Sequence, residues 1–194
     1  MILRRIGLGC LSLSRTTSHH SRRFLSRSSI PPEFEKTYHL SGSTTPGNRS
    51  GVSVKTNTGH SIQTDVPRGM GGHDTAPQPV ETLLAAWMGC TQATALFVGR
   101  HMEPRLLLDR LEFDIVASRD ERGALQLPLD AQREAPSRLQ RVGGIITVYL
   151  RKGTISVEQI KVLSEQTEER CPVANMMIAS GCEMAVEWVA PSTE

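Results

Sequence analysis

The sequence is poor in aromatic residues and lacks the paired cysteines that build metal sites. Only 4% of its 194 residues are aromatic, so aliphatic side chains have to fill most of a core. No Cys-x-x-Cys pair occurs, and the spacing of cysteine and histidine does not match a zinc site. A composition of 38% hydrophobic and 22% charged residues is typical of a globular protein of one domain. We therefore expect one domain that needs no metal and no organic cofactor.

Acidic residues are absent from the first 32 positions, which carry six arginines and many serines. This composition is typical of a mitochondrial transit peptide, and no uninterrupted apolar stretch suggests a secretory signal. The remaining residues carry 16 basic and 20 acidic side chains, a net charge of −4. A mildly acidic body gives no electrostatic reason to expect nucleic-acid binding. We predict a transit peptide at 1–32 and a location in the mitochondrial matrix; a disordered basic tail is the alternative.

Four cysteines are present, and one of them, Cys10, would leave with the transit peptide. Cys90, Cys171 and Cys182 remain. Three cysteines in a reducing compartment do not indicate a structural disulfide framework. Cys182 follows Gly181 at a predicted strand start and is interpreted as a small buried hydrophobic residue.

Residues 33–50 are polar and rich in Pro, Gly, Ser and Thr, so we predict a flexible linker followed by a domain over 51–190. Alternating residues on both sides of Asn57–Gly59 predict a β-hairpin. Pro79 then opens a long apolar helix, with Glu81 in the first turn. No formal charge occurs from Leu83 to Gly99, but threonine, glutamine and glycine make a poor membrane span. We predict a central helix buried on all sides.

The second half of the sequence predicts two strands, two helices and a final strand. The strands are expected at 111–117 and 144–150, where the sequence alternates or is continuously apolar. Ser156 and Gln159 form a capping-box pattern that begins a helix running to Arg170. Pro172 opens a shorter helix, and a last strand is expected at 183–189. Strands and helices do not alternate singly, which favours an α+β fold.

The two central cysteines have different local settings. Cys171 precedes Pro172 at a predicted helix N-terminus, where the helix dipole would lower the pKa of a thiol and raise its reactivity. Cys90 lies in the middle of the apolar helix, where nothing nearby in the sequence activates it. In a purely structural interpretation, both would be core cysteines.

Two motifs together resemble the OsmC/Ohr superfamily of osmotically induced and organic-hydroperoxide-resistance proteins. The stretch PVETLLAAWMGCT at 79–91 resembles the family pattern P-x-E-x-L-L-A-A-x-x-G-C-T, and Cys171-Pro172-Val173 resembles its companion C-P-V. The resemblance covers about Gly51 to Val189. It implies an OsmC-like fold in which antiparallel strands surround a long central helix and two chains form an intertwined homodimer.

The resemblance also implies a thiol-dependent reduction of organic hydroperoxides. Cys90 would attack the peroxide and become a sulfenic acid, and Cys171 would resolve it as a disulfide that an external dithiol reduces. Glu81 would help to activate Cys90, but it lies nine residues away, about 900° along an ideal helix and so on the opposite face. It reaches Cys90 only through an irregular first turn or from a partner subunit. Arg49 and Arg68 are both candidates for the activating arginine. The alternative function is a redox-sensing or hydrophobic small-molecule-binding module without catalysis.

Overall fold

The computed structural model describes residues 30–191, so nearly all of the predicted transit peptide lies outside the described residues. The chain divides into two units between His39 and Leu40. The described part of the first unit contains a single 3-10 turn at Pro32–Phe34. In the same unit the Lys36 ammonium lies 5.5 Å from the centre of the Tyr38 ring.

The second unit begins with a three-stranded antiparallel sheet in the order β1-β2-β3. The predicted hairpin is confirmed as β2 (Val52–Thr56) and β3 (Ser61–Thr64). A further strand, β1 (Leu40–Thr44), pairs with β2 and lies inside the segment predicted to be a flexible linker. The first strand of the second unit therefore begins eleven residues before Gly51, the predicted start of the domain. The sequence of β1, LSGST, has no apolar alternation that would have indicated a strand.

The second sheet has the order β4-β5-β6 and carries the core. Its strands are β4 (Leu108–Ser118), β5 (Arg141–Leu150) and β6 (Glu183–Val189). β4 and β5 are antiparallel, whereas β6 pairs with β5 in parallel. A parallel pair needs a crossover connection, and two helices between β5 and β6 provide it. The expectation of antiparallel strands did not include the parallel pairing of β5 with β6.

The helices agree closely with the sequence-based expectations. They are α1 (Pro79–His101), α2 (Arg122–Leu125), α3 (Val157–Arg170) and α4 (Pro172–Ala179). Ser156 caps α3 as predicted, since its hydroxyl accepts a hydrogen bond from the Gln159 N–H at 3.2 Å. The four-residue α2 lies in the charged segment that connects β4 and β5. The result is a mixed α+β fold with two sheets.

The core lies between the second sheet and helices α1, α3 and α4. Buried side chains alternate along β5, where Val142, Ile146 and Val148 are almost completely enclosed. Trp87 of α1 packs edge-on against Phe113 of β4, with ring centres 6.1 Å apart. The other side of the sheet is open to solvent, as the exposed Val116 and Ile145 show.

Helix α1 differs from the prediction that it is buried on all sides. Trp87, Thr91, Ala95 and Val98 face the core, but 43% of Leu83 and 56% of Phe97 are exposed. Among the described residues α1 is the one helix whose length and composition would suffice for a bilayer span, a property that core helices of globular proteins share. Within a single chain, therefore, α1 has one buried face and one apolar face without cover.

Candidate functional site

Cys171 joins helices α3 and α4. Its backbone N–H closes α3 through a hydrogen bond to the Thr167 carbonyl at 2.9 Å. Its Sγ accepts the N–H of Ala174 at 3.4 Å and so caps α4, as predicted. Pro172 explains the break, because the residue before a proline avoids the helical region and proline suits the first helical position.

The environment of Cys171 overturns the expected direction of its pKa. The residue has no exposed surface. Burial raises the pKa of the Cys171 thiol, and the neighbouring Cys90 thiol raises it further. The Ala174 N–H and the Thr91 hydroxyl lower this pKa, but they do not compensate for burial. The prediction considered only the helix terminus, whereas the loss of hydration dominates.

Cys90 lies half-buried on α1 and packs against the core that contains Cys171. The next residue, Thr91, places its Oγ1 3.9 Å from the Cys171 Sγ. The structure thus brings together the two cysteines, 81 residues apart in sequence, that the motifs had singled out. Cys90, Cys171 and Cys182 are all free thiols.

Cys182 occupies a separate position at the start of β6. It is 5% exposed, and burial raises the pKa of its thiol. Its Sγ lies 3.9 Å from the Glu183 carbonyl. These features agree with the interpretation of Cys182 as a small buried residue of the core.

A cavity of about 40 Å³ is lined by Thr91 and Ala174, the two residues whose polar groups contact the Cys171 Sγ. Its walls come from α1, α3, α4 and the second sheet, and most of them are apolar. The side chains of Trp87, Ile146, Val186 and Trp188 contribute to these walls. Two hydroxyl-bearing residues, Thr91 and Thr167, also line the cavity.

Glu81 lies away from the thiols in this chain. The first turn of α1 is regular, and a Glu81 carboxylate oxygen accepts the N–H of Gln78, the N-cap residue, at 2.8 Å. Over a regular helix the nine-residue spacing places Glu81 opposite Cys90. The irregular first turn that would have brought Glu81 towards Cys90 is therefore not observed in α1.

The arginine candidates flank a buried carboxylate that sequence reasoning did not single out. Arg49 and Arg68 are exposed, and neither forms a salt bridge within residues 30–191. Between them in sequence lies Asp65, which is only 1% exposed. Its two oxygens accept hydrogen bonds of 2.8–3.2 Å from side chains and backbone N–H groups of five residues: Asn48, Ser50, Val66, His73 and Thr75.

Asp65 therefore organises the glycine-rich connection that leads to α1. Burial alone would raise the pKa of this carboxyl, but the donors from Thr75, Val66 and Asn48 hold the pKa well below its usual range. The connection also requires a glycine at position 72, because a Cβ on Gly72 would lie 1.9 Å from the Val66 carbonyl oxygen. The only sequence signal for Asp65 was an acid at the end of a strand, directly before a glycine-rich loop.

No group of three or more His, Cys, Asp and Glu side chains within residues 30–191 is arranged to hold a metal ion. The described site offers two neighbouring thiols, hydroxyl groups and an apolar wall.

Comparison with protein families identifies one match, to the family described as OsmC-like protein, over residues 72–187. These residues include α1, both cysteines, β4, β5 and most of β6. A comparison with curated proteins found no match.

Solved structures similar to this chain include three with related descriptions. An OsmC-like protein from Mycoplasma pneumoniae shares 18% identity and a TM-score of 0.61, covering 81% of this chain and 99% of its own. A protein described as an organic hydroperoxide resistance protein OsmC from Legionella pneumophila shares 17% identity and a TM-score of 0.54 over 79% and 98%. The organic hydroperoxide resistance protein OhrB of Bacillus subtilis shares 13% identity and a TM-score of 0.53 over 79% and 98%. At these identities the similarity shows the fold.

Proposed function

Because this chain belongs to the OsmC-like protein family, we propose that it reduces organic hydroperoxides with Cys90 and Cys171. The observation that carries the proposal is the meeting of the two thiols between α1 and the α3–α4 junction. Cys90 is partly accessible and can meet a substrate, whereas Cys171 is enclosed behind it. This difference in access suits Cys90 as the thiol that attacks the peroxide and Cys171 as the thiol that resolves the sulfenic acid.

In the first step the Cys90 thiolate attacks the terminal peroxide oxygen, the O–O bond breaks, and the alkoxide takes up a proton and leaves as an alcohol. In the second step Cys171 attacks the sulfur of the Cys90 sulfenic acid. An S–S bond forms, the S–O bond breaks, and the oxygen leaves as water. An external dithiol then reduces the disulfide by thiol–disulfide exchange. The apolar side chains that share the Cys90 face of α1, Leu83 and Phe97, suit an alkyl group better than hydrogen peroxide.

Two copies of the chain would complete this site. The uncovered apolar face of α1, with Leu83 and Phe97 exposed, supports an intertwined homodimer. A second copy also supplies the missing activator, because Glu81 caps α1 opposite Cys90 in its own chain. We therefore assign the activation of Cys90 to Glu81 of the partner subunit, together with Arg49 or Arg68.

Substitution of each cysteine tests the reaction. We expect Cys90→Ser to abolish the consumption of cumene hydroperoxide in the presence of dithiothreitol. Cys171→Ser should trap a sulfenic acid at Cys90, which a dimedone adduct detects by mass spectrometry. Cys182→Ala is the matched control, because Cys182 lies outside the thiol pair, and it should keep the wild-type rate. A wild-type protein that consumes no hydroperoxide would contradict the proposal.

The second candidate function is a non-catalytic module that binds a hydrophobic molecule or senses oxidants. It is favoured by the raised pKa of Cys171 and by the engagement of Glu81 in a helix cap. Such a module would bind an apolar fluorescent probe and lose its binding in Trp87→Ala, while neither cysteine substitution would alter hydroperoxide turnover.

The composition of residues 1–32 supports import into the mitochondrial matrix. A fusion of residues 1–50 to a fluorescent protein should be imported and shortened, whereas a fusion in which Arg4, Arg5, Arg22 and Arg23 are replaced by glutamine should stay outside. Import of both fusions would count against a targeting role for these arginines.

A further inference from the structure

A buried hydroxyl group lines the cavity between α1, α3, α4 and the second sheet. Thr167 is 1% exposed, and its Oγ1 has no hydrogen-bond partner among residues 30–191. Buried hydroxyls are almost always satisfied by protein or by ordered water, because leaving one unpaired costs about 1–3 kcal/mol. Thr167 lines the cavity, so the space beside it can hold the missing partner.

A second hydroxyl lines the same cavity and contacts the thiol. Thr91 is 3% exposed, and its Oγ1 lies 3.9 Å from the Cys171 Sγ. The cavity volume of about 40 Å³ exceeds the ~10–15 Å³ that a cavity needs to hold a water molecule. Aromatic and aliphatic groups form the other walls, so the polar contacts of a guest molecule would concentrate at the two threonines.

We propose that this cavity is a water site in which the hydroxyls of Thr91 and Thr167 hold one water molecule beside Cys171. Thr91 links this water to the sulfur, which also accepts the Ala174 N–H at 3.4 Å. The two threonine hydroxyls and the water thereby supply the hydration that burial removes from the Cys171 thiol. Thr91 and Thr167 are positioning residues, and their role in turnover rests on the proposed function.

The water site affects the second step of the proposed reaction, the attack of Cys171 on the Cys90 sulfenic acid. Cys171 has to lose its proton before it attacks the Cys90 sulfenic acid, and the site gives that proton a polar route through Thr91 and the water. The released proton then joins the departing hydroxide, so the products are a disulfide and water. Without the hydroxyls, the charged sulfur would face the Ala174 N–H, the Cys90 thiol and apolar side chains.

Few ionisable groups lie near Cys171. The Cys90 thiol faces Cys171 from α1, and the exposed side chain of Glu168 on α3 lines the cavity. Arg170 precedes it, but its guanidinium binds Gln166 and Glu169 on the surface of α3. The cavity-lining residues of the second sheet, Ile146, Met184, Val186 and Trp188, carry no charge. A titration of Cys171 as the single remaining thiol is therefore disturbed by few neighbouring ionisable groups.

The test uses the full chain with Cys10→Ser, Cys90→Ser and Cys182→Ala, in which Cys171 is the one thiol. The ultraviolet absorbance of the thiolate is titrated in this protein and in variants with Thr91→Val, Thr91→Ser or Thr167→Val. We expect Thr91→Val to raise the midpoint by about one pH unit, a tenfold change in ionisation. Thr167→Val should raise it by a smaller amount, and Thr91→Ser should leave it in place.

Thr94→Val is the matched control on the same helix, because the Thr94 hydroxyl binds the Cys90 carbonyl at 2.8 Å and does not line the cavity. It should not move the midpoint. Midpoints that stay unchanged in folded Thr91→Val and Thr167→Val proteins would overturn the proposal. Because no peroxide enters this titration, its outcome is independent of whether the protein is a hydroperoxide reductase.

A crystal structure of the reduced wild-type chain decides the matter if a variant does not fold. We expect electron density for one water within hydrogen-bond distance of the Thr167 and Thr91 hydroxyls, and an empty cavity would overturn the proposal.

Discussion

The thiols of Cys90 and Cys171 lie together but have unequal access to solvent. Cys90 is half-buried on α1, whereas Cys171 is completely enclosed at the α3–α4 junction. A helix N-terminus lowers the pKa of a thiol and apolar burial raises it, and at Cys171 burial is the larger effect and raises the pKa. Neither the extent of this burial nor the approach of Thr91 could be predicted from local sequence, because both depend on packing between distant elements.

The raised pKa of Cys171 predicts a pH-dependent second step. Since only the thiolate attacks, the rate of disulfide formation should increase about tenfold per pH unit between pH 6 and pH 8. Stopped-flow measurement of tryptophan fluorescence after mixing with one equivalent of hydroperoxide can follow this step, because Trp87 and Trp188 line the adjacent cavity. A rate that does not change over this range would contradict the raised pKa.

The same pKa has a consequence for folding. A thiol whose pKa is higher in the folded than in the unfolded chain stabilises the fold at low pH, and this contribution disappears as the pH rises through the folded pKa. The contribution of Cys171 is therefore complete below about pH 8.5 and decreases in more alkaline solution. Cys171→Ala should flatten this alkaline loss in urea unfolding experiments.

Among the elements, the glycine-rich connection between β3 and α1 depends most on one buried group. Asp65 binds backbone N–H groups of this connection, and Gly72 allows the chain to pass close to the Val66 carbonyl. Gly72→Ala should lower the free energy of unfolding by about 1–3 kcal/mol because the added methyl group has no space. Gly69→Ala in the same loop is the control: a Cβ at Gly69 meets no atom within 4 Å, so the change should stay within about 0.5 kcal/mol. Chemical denaturation of both variants provides the measurement, and equal losses would contradict the packing argument.

The elements also show what the sequence allows one to predict. Helices α1, α3 and α4 begin and end at proline, capping-box and glycine signals, so their positions could be predicted almost to the residue. β1 could not, because its side chains are polar or small and its place is set by pairing with β2. The parallel pairing of β6 is likewise a property of the crossover through α3 and α4 rather than of the strand itself.

At the scale of the whole molecule, the position of Glu81 makes a second copy necessary for the proposed activation of Cys90. Motif spacing placed Glu81 opposite Cys90, and the regular first turn of α1 retains that arrangement. The dimer itself was implied by the resemblance and stays a prediction. The uncovered apolar face of α1 is the feature of the single chain that supports it.

Mixed dimers test this arrangement directly. A chain with Glu81→Gln keeps Cys90, and a chain with Cys90→Ser keeps Glu81. If the carboxylate acts across the interface, each homodimer is inactive, whereas the isolated mixed dimer recovers about half of the wild-type rate from its one complete site. Glutamine preserves the acceptor of the helix cap, so thermal stability should not change. Inactive mixed dimers would place the activating carboxylate elsewhere.

In the proposed reaction Cys90 and Cys171 form one redox pair driven by an organic hydroperoxide. The most direct measurement mixes the fully reduced chain with one equivalent of cumene hydroperoxide and maps the disulfides by mass spectrometry under non-reducing conditions. We expect one intramolecular disulfide between Cys90 and Cys171 per chain, one equivalent of alcohol, and an unmodified Cys182. Thiols that stay reduced, or a disulfide that involves Cys182, would contradict it.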